Sequence, residues 1–275
     1  MNKDSDESKS GQQPVLNVNV MALQARLMVT LQHILDVLAI SRLGVDRASE
    51  SDYASTSFFA VFPAQQARLP YAVVQQEASR WHLRTAFRDA LEATGIYLDG
   101  CRTVTALFKL AAGGALTVGT YQKVVTQEAK KFHRLGIPEK IKTLREDFKL
   151  PMDLSEHLLS INKVRNCLVH RLGLVTDHDI DDQGKLTLTY RSLQLYAPDP
   201  NGGEVIVDKT GMALPVGAPL MMRCIDPTVR EFKKGERVEL THSEITQIFL
   251  TVMQFSIVMT GELQARTPQS NAPLG

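Results

Sequence analysis

Two long stretches with apolar residues at helical spacing restrict what this chain can fold into. In the first, from about Val15 to Leu43, leucine and isoleucine recur three and four residues apart, which is typical of a helix with one buried face. The second covers about 71–112, and we expect it to break near Gly95 or Gly100 because glycine weakens helices. Shorter helical patterns cover about 118–134, 138–147, 153–172 and 243–260. The sequence therefore predicts a mainly α fold.

The residues that flank these patterns predict where the helices begin and end. Gly44 is a plausible stop for the first helix, and a short helix is expected around 53–61. Asp153 or Ser155 can cap the helix that ends near Leu172, and Gly173 can terminate it. The last helix has two candidate caps of its own, which are Thr241 and Ser243.

A β-rich insertion, at about 184–238, precedes the last helix. The segment KLTLTYRSLQLY is alternating, β-branched and aromatic, and PDPNGGEVIV follows it, so we expect a hairpin that turns at Asn201-Gly202-Gly203. Leu220–Ile225 is expected to add a strand. We predict one helical domain over 15–265 that carries this insertion, with disordered tails at 1–14 and 266–275.

The composition narrows the functional classes. Lys and Arg number 31 and Asp and Glu 30, so the overall charge implies no partner and a nucleic-acid binder would need a local basic patch. Two basic clusters exist, and we expect them to be a solvated helix face: Lys130, Lys131, His133, Arg134, and then Lys140, Lys142, Arg145. The three cysteines lie far apart and fit a reducing compartment. We see no signal peptide and no apolar run near the roughly 20 residues of a membrane span, so we expect a cytoplasmic protein without a membrane partner.

One arginine violates the amphipathic pattern in the segment INKVRNCLVHRLGL at 161–174. At 100° per residue from Ile161, Arg165 falls near about +40°, inside the apolar stripe. A guanidinium is costly to bury unless it is paired or hydrogen-bonded. A purely structural role remains open, because Arg165 can snorkel to solvent or pair with a carboxylate of another helix.

Two further polar residues surround this arginine. Asn166 and His170 are four residues apart and share a helix face. Arg165 and His170 are about 140° apart around a straight helix. They can converge if the helix end unwinds, or if two copies of the helix face each other across a dimer.

The string RNCLVH on a late helix resembles the HEPN superfamily, whose catalytic members carry Arg and His separated by four to six residues. The resemblance is concentrated in Ser155 to Leu174. It implies a HEPN-like bundle of four or five helices, a homodimer, and a composite site that contains Arg165, Asn166 and His170. It also implies a metal-independent endoribonuclease without a cofactor, of the kind found in toxin–antitoxin systems, abortive infection and other antiviral defence. The β-rich insertion departs from the family pattern.

The chemistry of these residue types fits RNA cleavage. The 2′-hydroxyl can act as nucleophile if a side chain moves protons and a cation stabilises the charged phosphorane. Imidazole can move the protons, because it exchanges them near neutral pH. A guanidinium can supply the cation, because it binds two phosphate oxygens at once. We therefore expect an RNA substrate and 2′,3′-cyclic phosphate products, and an antitoxin or other defence-system protein as a further partner. The alternative is a HEPN-like helical module that binds or regulates without catalysis.

Three other features are expected to be structural. His157 lies on the same apolar stripe and is expected to be a core or helix-packing histidine. Glu156 is expected to interact with the dipole of its own helix. The acidic segment at 177–182 matches no calcium loop and is expected to be a solvated turn rather than a metal site.

Overall fold

The protein is mainly helical and carries one small antiparallel sheet, as the sequence predicts. The computed structural model describes residues 18–55, 69–199, 202–207, 212, 214 and 217–266. The predicted tail at 1–14 lies outside the described residues, and so does the predicted tail at 266–275 except for Arg266, which follows the last helix directly. The helices are α1 (Val20–Arg47), α2 (Glu50–Ser55), α3 (Tyr71–Ala112), α4 (Val118–Gln122), α5 (Ala129–His133), α6 (Ile137–Glu146), α7 (Ser155–His170) and α8 (His242–Ala265). A π-helical segment, Lys123–Glu128, joins α4 to α5.

Helix α3 is the central element, and it contacts α1, α5, α6, α7 and α8. It is continuous over 42 residues, so the predicted break near Gly95 or Gly100 is wrong. Gly100 instead allows α1 to approach closely, because a Cβ there would lie 2.7 Å from Leu23 Cδ2. Phe87 of α3 and Phe249 of α8 are fully buried in the same core, with ring centroids 6.2 Å apart.

Two predicted helix ends are also wrong. Helix α1 continues through Gly44 to Arg47, and the backbone N–H of Ala48 donates to the Gly44 carbonyl at 3.0 Å. Helix α2 begins at Glu50 rather than at the predicted residue 53; residues 56–61 of the predicted helix lie outside the described residues.

The ends of α7 differ in detail from the prediction. Leu154, with a φ of +66°, precedes the helix and supplies no side-chain cap. Ser155 does not cap the helix either, because it is the first helical residue and its Oγ accepts a hydrogen bond from Arg145 at 2.7 Å. The helix ends at His170, and Leu172 and Gly173 then adopt positive φ angles. For α8 the prediction is confirmed at Thr241, which caps the helix.

The sheet has the strand order β2-β1-β3, formed by β1 (Lys185–Pro198), β2 (Glu204–Val207) and β3 (Met221–Lys233). The predicted hairpin between β1 and β2 is confirmed, with positive φ at Gly202 and Gly203; Asn201 lies outside the described residues. Strand β3 is much longer than the predicted 220–225. Since β1 contacts both α7 and α8, the insertion is packed onto the helix that carries the motif and onto the last helix.

Among the described residues, two helices are long and apolar enough, by length and composition, to cross a membrane, whereas no such apolar run is expected from the sequence. In α8, 50% of the most apolar window is buried inside the fold, and in α1 only 11%. A core helix of a soluble protein passes the same test, so this finding is weak evidence for a membrane.

The loop after α7 is held by a buried ion pair. The Asp179 side chain is 1% exposed and accepts hydrogen bonds from Arg171 Nε at 2.7 Å and from the Thr176 backbone N–H at 2.9 Å. Burial by itself raises the pKa of the Asp179 carboxyl, but the hydrogen bonds from Arg171 and Thr176 outweigh it and hold the pKa below its ordinary value. The ionised carboxylate therefore stabilises the fold.

Replacing Gly44 with alanine is expected to stabilise the protein by about 1 kcal/mol. The residue is exposed inside α1, and nothing lies within 4 Å of an added Cβ, so the full helix propensity of alanine is gained. In Gly100→Ala the same gain is offset because Leu23 must move. Urea unfolding of both variants measures the difference, and equal stabilisation of the two would contradict the close approach of α1 and α3.

Asp179→Asn is expected to cost about 3 kcal/mol at pH 7, because it leaves the Arg171 guanidinium without its counter-charge. The folded pKa of Asp179 is lowered, so its contribution is complete above the ordinary value of 3.8 and is lost as the pH falls through the folded pKa. The gap in unfolding free energy between wild type and variant should therefore close at acidic pH. Asp177→Asn is the matched control: its pair with Lys234 is exposed, and its loss should cost under about 0.5 kcal/mol.

Candidate functional site

A groove of about 550 Å³ lies between α3, α7 and the segment that joins α5 to α6. Helix α7 contributes Asn162, Arg165 and Asn166 to its wall, and α3 contributes Gly95 among others. The facing wall runs from His133 to Lys140. Two of the three residues of the predicted motif therefore lie in one groove.

Arg165 has few polar contacts with the described residues. Its side chain is half-buried, and Nη1 donates to Asn166 Oδ1 at 3.0 Å. Its Nε is buried and has no hydrogen-bond partner in the described part of the chain. Among the same residues no carboxylate pairs with this guanidinium. The sequence left two structural roles open for Arg165. Of these, pairing with a carboxylate of another helix is not found among the described residues, and the half-buried side chain leaves snorkelling to solvent.

His170 lies apart from the other two motif residues. It is exposed at the last position of α7 and does not line the groove. Because α7 stays helical as far as His170, the unwinding that could have brought His170 beside Arg165 does not occur. Of the two arrangements that the sequence left open, only the approach of a second copy of the helix remains.

A second histidine, His133, lines the groove and is 69% exposed, in agreement with the solvated helix face that the sequence predicts. His133 Nδ1 lies 2.7 Å from Asp99 Oδ2, and Asp99 Oδ1 lies 2.7 Å from Lys140 Nζ. The Lys140 side chain is 5% exposed and also donates to the Gly95 carbonyl at 3.2 Å. The Asp99 carboxylate thus contacts one ring nitrogen of His133 and leaves the other, Nε2, available to a ligand.

The basic residues next to His133 extend the positive surface. Lys130 and Arg134 line a shallow recess that also contains His133 and Asp99. Both basic side chains are exposed, and neither forms an ion pair with a described residue. The recess and the groove share His133, so a ligand with several phosphates can contact both.

The thiol on α7 is not suited to nucleophilic chemistry. Cys167 is fully buried, and burial raises the pKa of its thiol to about 11, which keeps it protonated at neutral pH. Over the part of the chain that the structure describes, no three His, Cys, Asp or Glu side chains are grouped so as to hold a metal ion.

The groove thus offers a guanidinium without a carboxylate partner among the described residues, carboxamides and an imidazole, which together can bind a phosphodiester and move a proton. The carboxylates of Glu92 and Glu139 line the same groove. Comparison with protein-family models, with curated proteins and with solved structures finds no match to this chain.

Proposed function

We propose that the protein is a metal-independent endoribonuclease of the HEPN type. The proposal combines the RNCLVH motif with the groove that contains Arg165 and Asn166. Its products are an RNA fragment that ends in a 2′,3′-cyclic phosphate and a fragment that begins with a 5′-hydroxyl.

The observation that carries the proposal is the state of Arg165. A half-buried guanidinium that lacks a carboxylate partner is costly, so its place in a groove calls for an anionic ligand. A phosphodiester suits it, because the planar fork of arginine binds two phosphate oxygens in parallel. The Asn166 amide, which accepts from Arg165, retains N–H donors for a third contact.

Cleavage needs two proton transfers. The 2′-hydroxyl loses its proton as its oxygen bonds to phosphorus, and the 5′-oxygen gains a proton as its bond to phosphorus breaks. Arg165 stabilises the charge that develops on the non-bridging oxygens. No metal is required, since both transfers can be carried out by imidazole.

The structure offers two imidazoles for these transfers. In a homodimer, the exposed His170 of the partner subunit can complete the groove, as the motif predicts. His133 already lines the same groove as Arg165 and contacts Asp99. One histidine can act as base while the other acts as acid.

The proposed cellular role rests on the resemblance to the HEPN superfamily and not on the groove. We propose a cytoplasmic toxin or antiviral effector of the abortive-infection type, held in check by an antitoxin or another defence-system protein. An inhibitor of this kind would cover the groove and the exposed basic side chains of α5.

One observation favours a second candidate function, a helical module that binds without catalysis. His170 lies outside the groove within one protomer, so a monomer would bind RNA through Arg165 and the basic recess and leave it intact. Such binding would weaken steeply with salt, because phosphate contacts release counterions.

Arg165→Ala should reduce RNA cleavage in EDTA by about 100-fold, since it removes the charge that faces the phosphorane. His170→Ala should cost about 100-fold or more through loss of proton transfer. His133→Ala is expected to cost about the same if the groove histidine is the second transfer group. The measurement is the rate at which labelled total RNA and tRNA acquire 2′,3′-cyclic phosphate ends.

The exposed His33 of α1 gives a matched control, and His33→Ala should cleave like wild type. Oligomeric state is measured for each variant by light scattering, because the use of the partner's His170 requires a dimer. Cleavage that needs Mg²⁺, or that persists in Arg165→Ala, would exclude the proposed mechanism. RNA binding without cleavage by a stable dimer would favour the binding module.

A further inference from the structure

A second cavity, of about 370 Å³, lies at the opposite end of α7 from the motif. Its walls come from the segment 152–157 at the start of α7, from Arg191 of β1, and from Gln254 and Val258 of α8. Sites for small molecules commonly have volumes of roughly 300–1,000 Å³. The cavity shares no lining residue with the groove of Arg165.

Unpartnered polar atoms are concentrated in this cavity. Among the described residues, seven buried side-chain nitrogen or oxygen atoms have no hydrogen-bond partner, and four of the seven belong to residues of this one cavity. They are both ring nitrogens of His157, Nε of Arg191 and Oε1 of Gln254. Each unsatisfied buried polar atom costs on the order of 1–3 kcal/mol, so their clustering calls for a ligand that meets them together.

The backbone around Arg191 is built to hold its side chain at this place. The register between β1 and β3 shifts between Arg191 and Leu193, a bulge that redirects the strand. Helix α8 fixes the bulge, because Thr251 Oγ1 accepts from the Arg191 N–H at 3.0 Å and donates to its carbonyl at 3.1 Å. No carboxylate among the described residues pairs with the Arg191 guanidinium.

The cavity contains both hydrogen-bond donors and acceptors. Arg191 supplies a fixed cation, and burial together with the nearby Arg191 lowers the pKa of His157, so its ring is neutral and can donate from one nitrogen. The acceptors are Gln254 Oε1 and, at the exposed rim, the carboxylates of Asp153 and Glu156; Glu156 Oε1 also lies 3.7 Å from Arg145 Nη2. Apolar walls complete the lining, from Met152, Leu154 and Val258.

We propose that this cavity binds a small zwitterion of the α-amino-acid class with an apolar side chain. The carboxylate of the ligand lies on Arg191 and His157, and its ammonium faces Gln254 and the rim carboxylates. The apolar side chain packs against Met152, Leu154 and Val258. A simple anion would satisfy only Arg191 and His157, and the rim carboxylates would repel it. A cation would be repelled by Arg191.

The test is calorimetric titration of the full chain with L-leucine, L-methionine, L-valine and L-phenylalanine, each against wild type. The compound 4-methylpentanoate, which is leucine without its ammonium, is the matched ligand control.

Arg191→Met should weaken binding at least tenfold, because it removes a charge-assisted contact to the carboxylate. It should keep or raise Tm, since an unpaired cation is removed from the interior. Arg223→Met is the protein control; Arg223 is exposed on β3 and paired with Glu204 and Gln194.

Saturable binding of one of the four amino acids, lost in Arg191→Met and kept in Arg223→Met, is the expected result. In wild type the ring signals of His157 should shift in NMR spectra on titration, with assignment from His157→Gln. If Arg191→Met does not fold, Gln254→Leu takes its place and should weaken binding through loss of the acceptor for the ammonium. The proposal is overturned if none of the four binds, if 4-methylpentanoate binds as tightly as leucine, or if the cavity variants bind like wild type.

Discussion

The ion pair between Lys140 and Asp99 is the interaction on which the groove depends. The Lys140 ammonium is almost fully buried and lies 2.7 Å from the Asp99 carboxylate, and breaking a buried pair by removing one partner typically costs about 3–5 kcal/mol. The same carboxylate holds His133. One residue of the central helix α3 thus ties both α5 and α6 into place, and these two helices, with the segment between them, form the wall that faces Arg165.

The geometry of α3 explains why the single carboxylate of Asp99 can contact both α5 and α6. The helix continues through Gly95, which lies about one turn before Asp99, and through Gly100, which directly follows it. Its neighbours approach closely there: α1 at Gly100 and α6 at Gly95. Local propensity predicts a break at these glycines. Tertiary packing overrides that preference, because the missing side chains give room to the neighbouring helices. The amphipathic pattern therefore predicted the extent of α3 correctly but not its continuity.

Much of the fold follows from local rules, and the His133 site shows where such rules fail. The hairpin between β1 and β2 and the cap at Thr241 depend on residues that are close in sequence, so they could be predicted. Asp99 and His133 are 34 residues apart. The π-helical segment Lys123–Glu128 lies between them, and its wider turns rotate α5 relative to a regular helical projection from residue 118. His133 is 69% exposed, as the sequence predicts, and only its contact with Asp99 could not be predicted.

The polar residues that violate the apolar pattern of α7 were the most informative part of the sequence. Arg165 and His157 both fall inside the predicted stripe, eight residues or about 12 Å apart along the axis, and each lines a separate cavity. Each also carries buried atoms that no described side chain satisfies. A fold optimised for stability alone would replace them with apolar residues. The polar side chain beside Arg165 is that of Asn166, the next residue in the sequence. The polar side chains that share a cavity with His157 are Arg191 and Gln254, which come from two distant elements. The sequence could therefore point to the first cavity, whereas the second required the packing of β1 and α8 against α7.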